Sequence, residues 1–199
     1  MELLSRCPPE VPALYCARVA VVDKDLNPLG YSTIPRRPLS FRNALVECEA
    51  RGCTVVFNRA ARQLLIQEFP KDVWSHDMWI YLVTSAFGTV IYDSEAKIFY
   101  RKHVGNAVGV SVGIGEALRV KISRFFKDAK LHLVVRQAEE FRRIYGSTLS
   151  NEHRKIIERF LNSRKQFWDR LRYALSCDVY RQSTLDHCIL KARIALDCL

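Results

Sequence analysis

The chain carries no proline after Pro70 and no glycine after Gly146. Its C-terminal part therefore lacks the two strongest punctuators of local structure and reads as helical. No stretch approaches the roughly 18 uninterrupted apolar residues of a membrane-spanning helix. The start, Met1-Glu2-Leu3-Leu4-Ser5-Arg6, lacks the basic-then-apolar layout of a secretion signal, so a cytoplasmic location is expected. No cysteine pair has C-x-x-C spacing. The seven cysteines, at 7, 16, 48, 53, 177, 188 and 198, are odd in number and read as reduced thiols. Cys48 and Cys53 with His76 lack the tight paired spacing of a zinc site. There is no internal repeat, no low-complexity segment, no Gly-x-Ser-x-Gly, no phosphate loop and no Cys–His nucleophile pattern. Gly113-Ile114-Gly115 lacks the third glycine of a dinucleotide fingerprint.

What remains is 199 residues, 49% of them hydrophobic and 26% charged, enough for a real core. The formal charge of +10 is uneven. From Gly115 onward 18 Lys and Arg face 10 Asp and Glu, a net of +8, while the first 114 residues carry 13 against 11. A basic face attracts nucleic acid, anionic lipid or a phosphorylated substrate, and a solvated helical surface is the plain alternative. No RRM, KH or zinc-finger signature accompanies it, which speaks against nucleic acid.

Two textures meet near residue 112. Residues 17–22 read as a strand, stopped by turn chemistry from Asp23 to Gly30. Residues 39–50 read as a helix, 53–57 as a buried strand, 59–68 as a helix broken at Pro70, and 77–87 as a short helix closed by Gly88. Residues 89–92 and 98–100 read as strands, candidate neighbours across an Asp93–Ala96 turn. The alternation argues an α/β fold over 1–112. Apolar residues then recur at helical spacing from 115 to about 145, with further amphipathic stretches near 151–163, 165–175 and 185–196. Residues 113–199 are thus a basic helical region, expected to pack on the α/β part.

Three blocks carry a family likeness. The first is Leu39-Ser40-Phe41-Arg42-Asn43-Ala44-Leu45, leading to Gly52-Cys53-Thr54-Val55-Val56-Phe57-Asn58-Arg59. The second is His76-Asp77-Met78-Trp79, running on through Ser85-Ala86-Phe87-Gly88-Thr89-Val90-Ile91-Tyr92. The third is Tyr100-Arg101-Lys102-His103-Val104-Gly105-Asn106-Ala107-Val108-Gly109. In this order the blocks resemble bacterial family 2 glycosyltransferases, especially the rhamnosyltransferase-like branch. Tyr180-Arg181-Gln182-Ser183 before a basic helix also fits that branch. The chain aligns with the later part of the longer family pattern. It departs from it around Val46–Arg51, where an Asn is expected near position 47 or 48.

The resemblance implies a partial GT-A, Rossmann-like fold lacking its nucleotide-binding half and followed by a helical region. It implies transfer of a sugar, with rhamnose a candidate, from a nucleotide sugar to a polysaccharide or lipid-linked acceptor. Inverting transfer needs a carboxylate base for the acceptor hydroxyl and positive charge for the departing nucleoside diphosphate. By resemblance Asp77 is the base, and a helix start would orient it. An ordinary N-terminal helix acid is the alternative. His76 would shape the acceptor site. Trp79 would offer an aromatic face to a sugar ring, or else pack in the core. Gly52, Cys53 and Thr54 would pass close to the donor sugar, where a glycine permits close approach. Arg101 and His103 would serve the diphosphate side, Arg101 pairing with phosphate oxygens and His103 completing a divalent-metal site, and Asn106 would shape the loop that follows, with an ordinary polar loop as the alternative for all three.

Family members hold Mg²⁺ or Mn²⁺ through an Asp-x-Asp motif. Asp23-Lys24-Asp25 is a decoy for it: only 22 residues precede Asp23, and a nucleotide-binding half needs on the order of 100. The expected partners are therefore a nucleotide sugar, a glycan or lipid-linked acceptor, a separate N-terminal half and an anionic membrane surface at the inner face. The rivals are an inactive or partner-dependent fragment, and a basic binding module.

Overall fold

The computed structural model describes residues 6–101 and 130–196. The chain enters on β1, Ala13–Val22, which turns into β2, Pro28–Tyr31. A single helical turn follows, α1, Phe41–Ala44, then a 3₁₀ turn at Gly52–Thr54 and the two-residue β3, Val56–Phe57. Next come α2, Arg59–Leu65, α3, His76–Phe87, and β4, Thr89–Arg101. Four helices complete the described chain: α4, Lys130–Tyr145, α5, Asn151–Asn162, α6, Phe167–Leu175, and α7, Thr184–Ala195. The class is mixed α/β.

β1 is the hub of the sheet, and none of its ten residues is exposed. β4 runs parallel along one whole edge, from Ala13 opposite Thr89 to Val22 opposite Arg101. A strand has two edges, so β3 and β2 share the other, both antiparallel, at Leu14–Tyr15 and at Ala20–Val22. The expected turn at Asp93–Ala96 is absent, and one long strand replaces two short ones. The register steps from Ala17–Asp93 to Arg18–Ala96, so the surplus residues form a bulge. Asp93 stabilises it: Oδ1 accepts the Glu95 N–H at 2.9 Å and Oδ2 the Tyr15 hydroxyl at 2.8 Å. Turn-forming residues here satisfy themselves inside a strand whose pairing is set by β1.

Two other expectations are corrected. The helix foreseen at 39–50 stops after one turn, because the Arg181–Gln182 segment, remote in sequence, captures the residues next along the chain. The Glu47 carboxylate accepts from Gln182 N at 2.6 Å and Asn43 Nδ2 at 3.0 Å, and the Val46 carbonyl accepts from Arg181. The buried strand foreseen at 53–57 is the 3₁₀ turn plus two residues, with Val56 40% exposed.

α3 forms as its sequence dictates. Ser75 caps it, its hydroxyl accepting the Met78 N–H, and Asp77 occupies the first turn. Gly88 ends it where the backbone meets Pro12: a β-carbon at 88 would lie 1.8 Å from the Pro12 carbonyl oxygen. The Thr89 N–H bonds that same oxygen at 2.8 Å, which starts β4 beside β1. One core takes in both textures of the sequence. Phe141 of α4 packs on Phe41 at 5.5 Å and on Trp79 at 5.9 Å between ring centroids, with Tyr145 alongside. Buried Asn43 ties three segments: it accepts the Tyr81 hydroxyl at 2.8 Å and donates to the Tyr180 carbonyl at 3.0 Å. The Ser40–Asn43 and Tyr180–Gln182 segments, remote in sequence, are thus joined. Among the described residues no helix is long and apolar enough to cross a membrane.

Candidate functional site

The start of α3 meets the 3₁₀ turn. Gly52 approaches so closely that a β-carbon there would lie 3.2 Å from His76 Nε2 and 3.6 Å from Asp77 Oδ2. Asp77 Oδ1 accepts the Met78 N–H at 3.1 Å, which holds the carboxylate in one orientation. Oδ2 takes no hydrogen bond from the described residues. Gly52 and His76 are exposed and Asp77 is half-buried, so the three form an accessible notch with a fixed carboxylate at its side.

Thr54 holds the turn in place. Its hydroxyl donates to the Arg51 carbonyl at 2.9 Å and accepts the Ala17 N–H at 3.1 Å, locking the turn to β1. Thr54 is 6% exposed, so its part is to position Gly52 rather than to touch a substrate. Behind the notch lies Cys48, whose thiol is pushed up by burial first and then by the Asp77 charge. Beside it the Glu49 carboxyl is raised to about 7 by burial first and then by the Glu47 charge, while Arg51 opposes the rise.

The other expected site residues separate. Cys53 is an exposed free thiol on the turn. Trp79 is 4% exposed, with its ring edge-on to Phe141 and close to Tyr145, so it is mostly core, and the little surface it keeps lines an apolar hollow shared with His76 and Ile80. The physical reason is helical phase: Asp77 faces the notch, and two residues on the helix has turned by roughly 200°. Arg101 lies at the far end of β4, opposite Val22, whereas Thr54 fastens the notch at Ala17. Five residues of strand, ~16 Å, separate those levels. His103 and Asn106 lie outside the described residues.

An apolar hollow of about 390 Å³ adjoins the notch, with His76 on its rim and Phe57, Ile66, Phe69, Val73 and Ile80 among its walls. Phe69 is 76% and Ile66 47% exposed. These wall residues were missed in the sequence. For Ile66, Phe69 and Val73 the available signal was apolar residues flanking Pro70, between two helices, with no regular element of their own to bury them.

Among the described residues no group of three His, Cys, Asp or Glu side chains is placed to hold a divalent metal. Asp23 is spent on the β1–β2 turn: Oδ1 accepts the Asp25 and Asn27 N–H groups, both at 2.8 Å, and Oδ2 the Asn27 side chain at 2.9 Å. The Asn27 side chain, first among these, holds Asp23 below the usual carboxylate range. Compared with family models, curated proteins and solved structures, the chain matches none.

Proposed function

We propose that this chain is the catalytic and acceptor-side part of a GT-A type glycosyltransferase. It would transfer a sugar from a nucleotide sugar to a polysaccharide or lipid-linked acceptor. The observation that carries the reading is the notch: the exposed backbone of Gly52 stands beside a carboxylate at the start of a capped helix, whose Oδ2 takes no hydrogen bond from the described residues. The family motifs in the sequence supply the chemistry. Asp77 takes the proton from an acceptor hydroxyl, and the freed oxygen attacks the anomeric carbon. The bond from that carbon to the diphosphate oxygen breaks, and the nucleoside diphosphate leaves with the electron pair. The apolar hollow beside His76 suits the hydrophobic end of an acceptor. The diphosphate and any metal are assigned to a nucleotide-binding half from outside these residues, because Asp23 is engaged in its turn.

The test is ligand binding by the isolated chain. Saturation-transfer NMR with an alkyl glycoside should show contacts to the sugar and the alkyl chain. Gly52→Val should abolish the sugar contacts while the fold, followed by circular dichroism, persists. Absence of any glycoside binding would refute the acceptor-side assignment. Calorimetric titration with nucleotide sugars and Mn²⁺ should give no heat. Micromolar binding there would refute the assignment of the donor site elsewhere.

A further inference from the structure

The corner between α5 and α6 carries a feature unconnected with the notch. A cavity of about 350 Å³ opens there, with Arg159, Lys165 and Arg172 among its lining, Ser163, Ser176 and Tyr173 as hydroxyls, and Asp169 as the one acid. Arg159 is already paired with Asp178 at 2.9 Å. Lys165 and Arg172 are exposed and form no ion pair among the described residues. Tyr173 is 4% exposed, and its hydroxyl is buried without a hydrogen-bond partner among the described residues. Such an orphaned group costs about 1–3 kcal/mol unless something supplies a bond. The Ser163 and Ser176 hydroxyls already donate to the Phe160 and Arg172 carbonyls, so two cations without an ion pair among the described residues and one unmet donor are what the cavity offers to an anion with several oxygens.

Beside the cavity, α6 begins with two aromatic rings in solvent. Phe167 is 53% and Trp168 68% exposed, stacked edge to face with centroids 5.3 Å apart. Arg170 lies over the Phe167 ring at 6.0 Å, and Leu175, at the end of the same helix, is 75% exposed. Residues 163–176 contain four basic side chains and one acid. Exposed Trp and Phe next to Lys and Arg are what an interfacial helix uses: rings enter the headgroup–acyl boundary while cations meet the phosphates.

We propose that this corner docks the chain on an anionic phospholipid surface, with Phe167 and Trp168 inserted and one lipid phosphate seated in the Lys165–Arg172–Tyr173 cavity. The site does not depend on the sugar-transfer reading, although it would hold the notch near lipid-borne acceptors.

Vesicle co-sedimentation with the full chain tests it, using neutral phosphatidylcholine vesicles and vesicles containing phosphatidylglycerol. The anionic vesicles should bind the chain at low salt and the neutral ones should not, and binding should fall steeply toward ~0.5 M salt. Lys165→Glu and Arg172→Glu should each weaken binding at least about fivefold, the worth of one cation near such a surface. Phe167→Ser/Trp168→Ser should weaken it about tenfold or more, because two rings lose their apolar transfer. All four positions are exposed, so the variants should melt like wild type. Lys24→Glu/Arg59→Glu, on the β1–β2 turn and the start of α2, away from the corner, should leave binding within about twofold of wild type. Equal losses from the remote pair would overturn the proposal in favour of diffuse charge attraction. So would no binding to anionic vesicles, or calorimetric binding of inorganic phosphate without vesicle binding, which would mark a soluble phosphorylated ligand instead.

Discussion

Glu49 should make the stability of this protein fall with rising pH. Its carboxyl is half-buried next to Glu47, and folding raises it from an ordinary 4.5 to about 7. The folded state thus favours the neutral acid, and the unfolded chain ionises first. Below about pH 4.5 both states hold the proton and the folded form keeps its full advantage. Between 4.5 and about 7 the unfolded state gains by releasing it, and stability drains away until the folded group ionises too. That interval, at about 1.4 kcal/mol per pH unit, is worth roughly 3 kcal/mol, and residual contact with water lowers it to ~2 kcal/mol. Glu49→Gln removes the titration and keeps the shape. Urea unfolding at pH 5 and pH 8.5 should therefore show the variant losing ~2 kcal/mol less than wild type between the two conditions. At pH 8.5 Glu49→Gln should be the more stable protein. Parallel pH profiles for the two would refute the argument, because Glu47, itself raised chiefly by burial, remains in both.

Two further substitutions probe the frame around the notch. Gly88→Ala should cost at least ~3 kcal/mol, above the usual range for overpacking, because the new methyl would meet the Pro12 backbone at 1.8 Å and neither strand start can yield; a melting temperature within a few degrees of wild type would contradict it. Thr54→Val is nearly isosteric but strands the buried Ala17 N–H, so it should cost about 1–3 kcal/mol in urea unfolding and loosen Gly52 against Asp77; a loss under ~0.5 kcal/mol would contradict it.

Much of the site was legible because its signals are local. Ser75, Asp77 and Gly88 mark the two ends of α3 within a dozen residues, and the helix forms between them. Three of the four C-terminal helices begin where a Ser or Gln precedes an amphipathic stretch, and their observed bounds fall close to the expected ones. Asp23 reads as turn chemistry, and its carboxylate accepts the bonds of that turn. The features that could not be read depended on remote partners. Asp93 to Ala96 carries turn residues, yet β1 supplies an edge long enough to run β4 straight through with a bulge. Residues 45–50 have helical spacing, yet Arg181 and Gln182 take hold of that backbone and its Glu47 side chain. Trp79 became core because Phe141 and Tyr145, more than sixty residues later, complete the cluster around it.

The sequence by itself determined the bounds of α3 and of the last three helices, the change from a strand-bearing part to a basic helical part, and the motif that places Asp77 at a helix start. Caps, turns and apolar periodicity act through neighbours a few residues apart, so they can be read without coordinates. Tertiary structure alone decided that Gly52 stands against His76 and Asp77, that Trp79 is buried against Phe141 and Tyr145, and that Tyr173 shares a cavity with Lys165 and Arg172, which form no ion pair among the described residues. Those facts arise from pairing and burial between segments distant along the chain, where the free energy belongs to the contact and not to either segment.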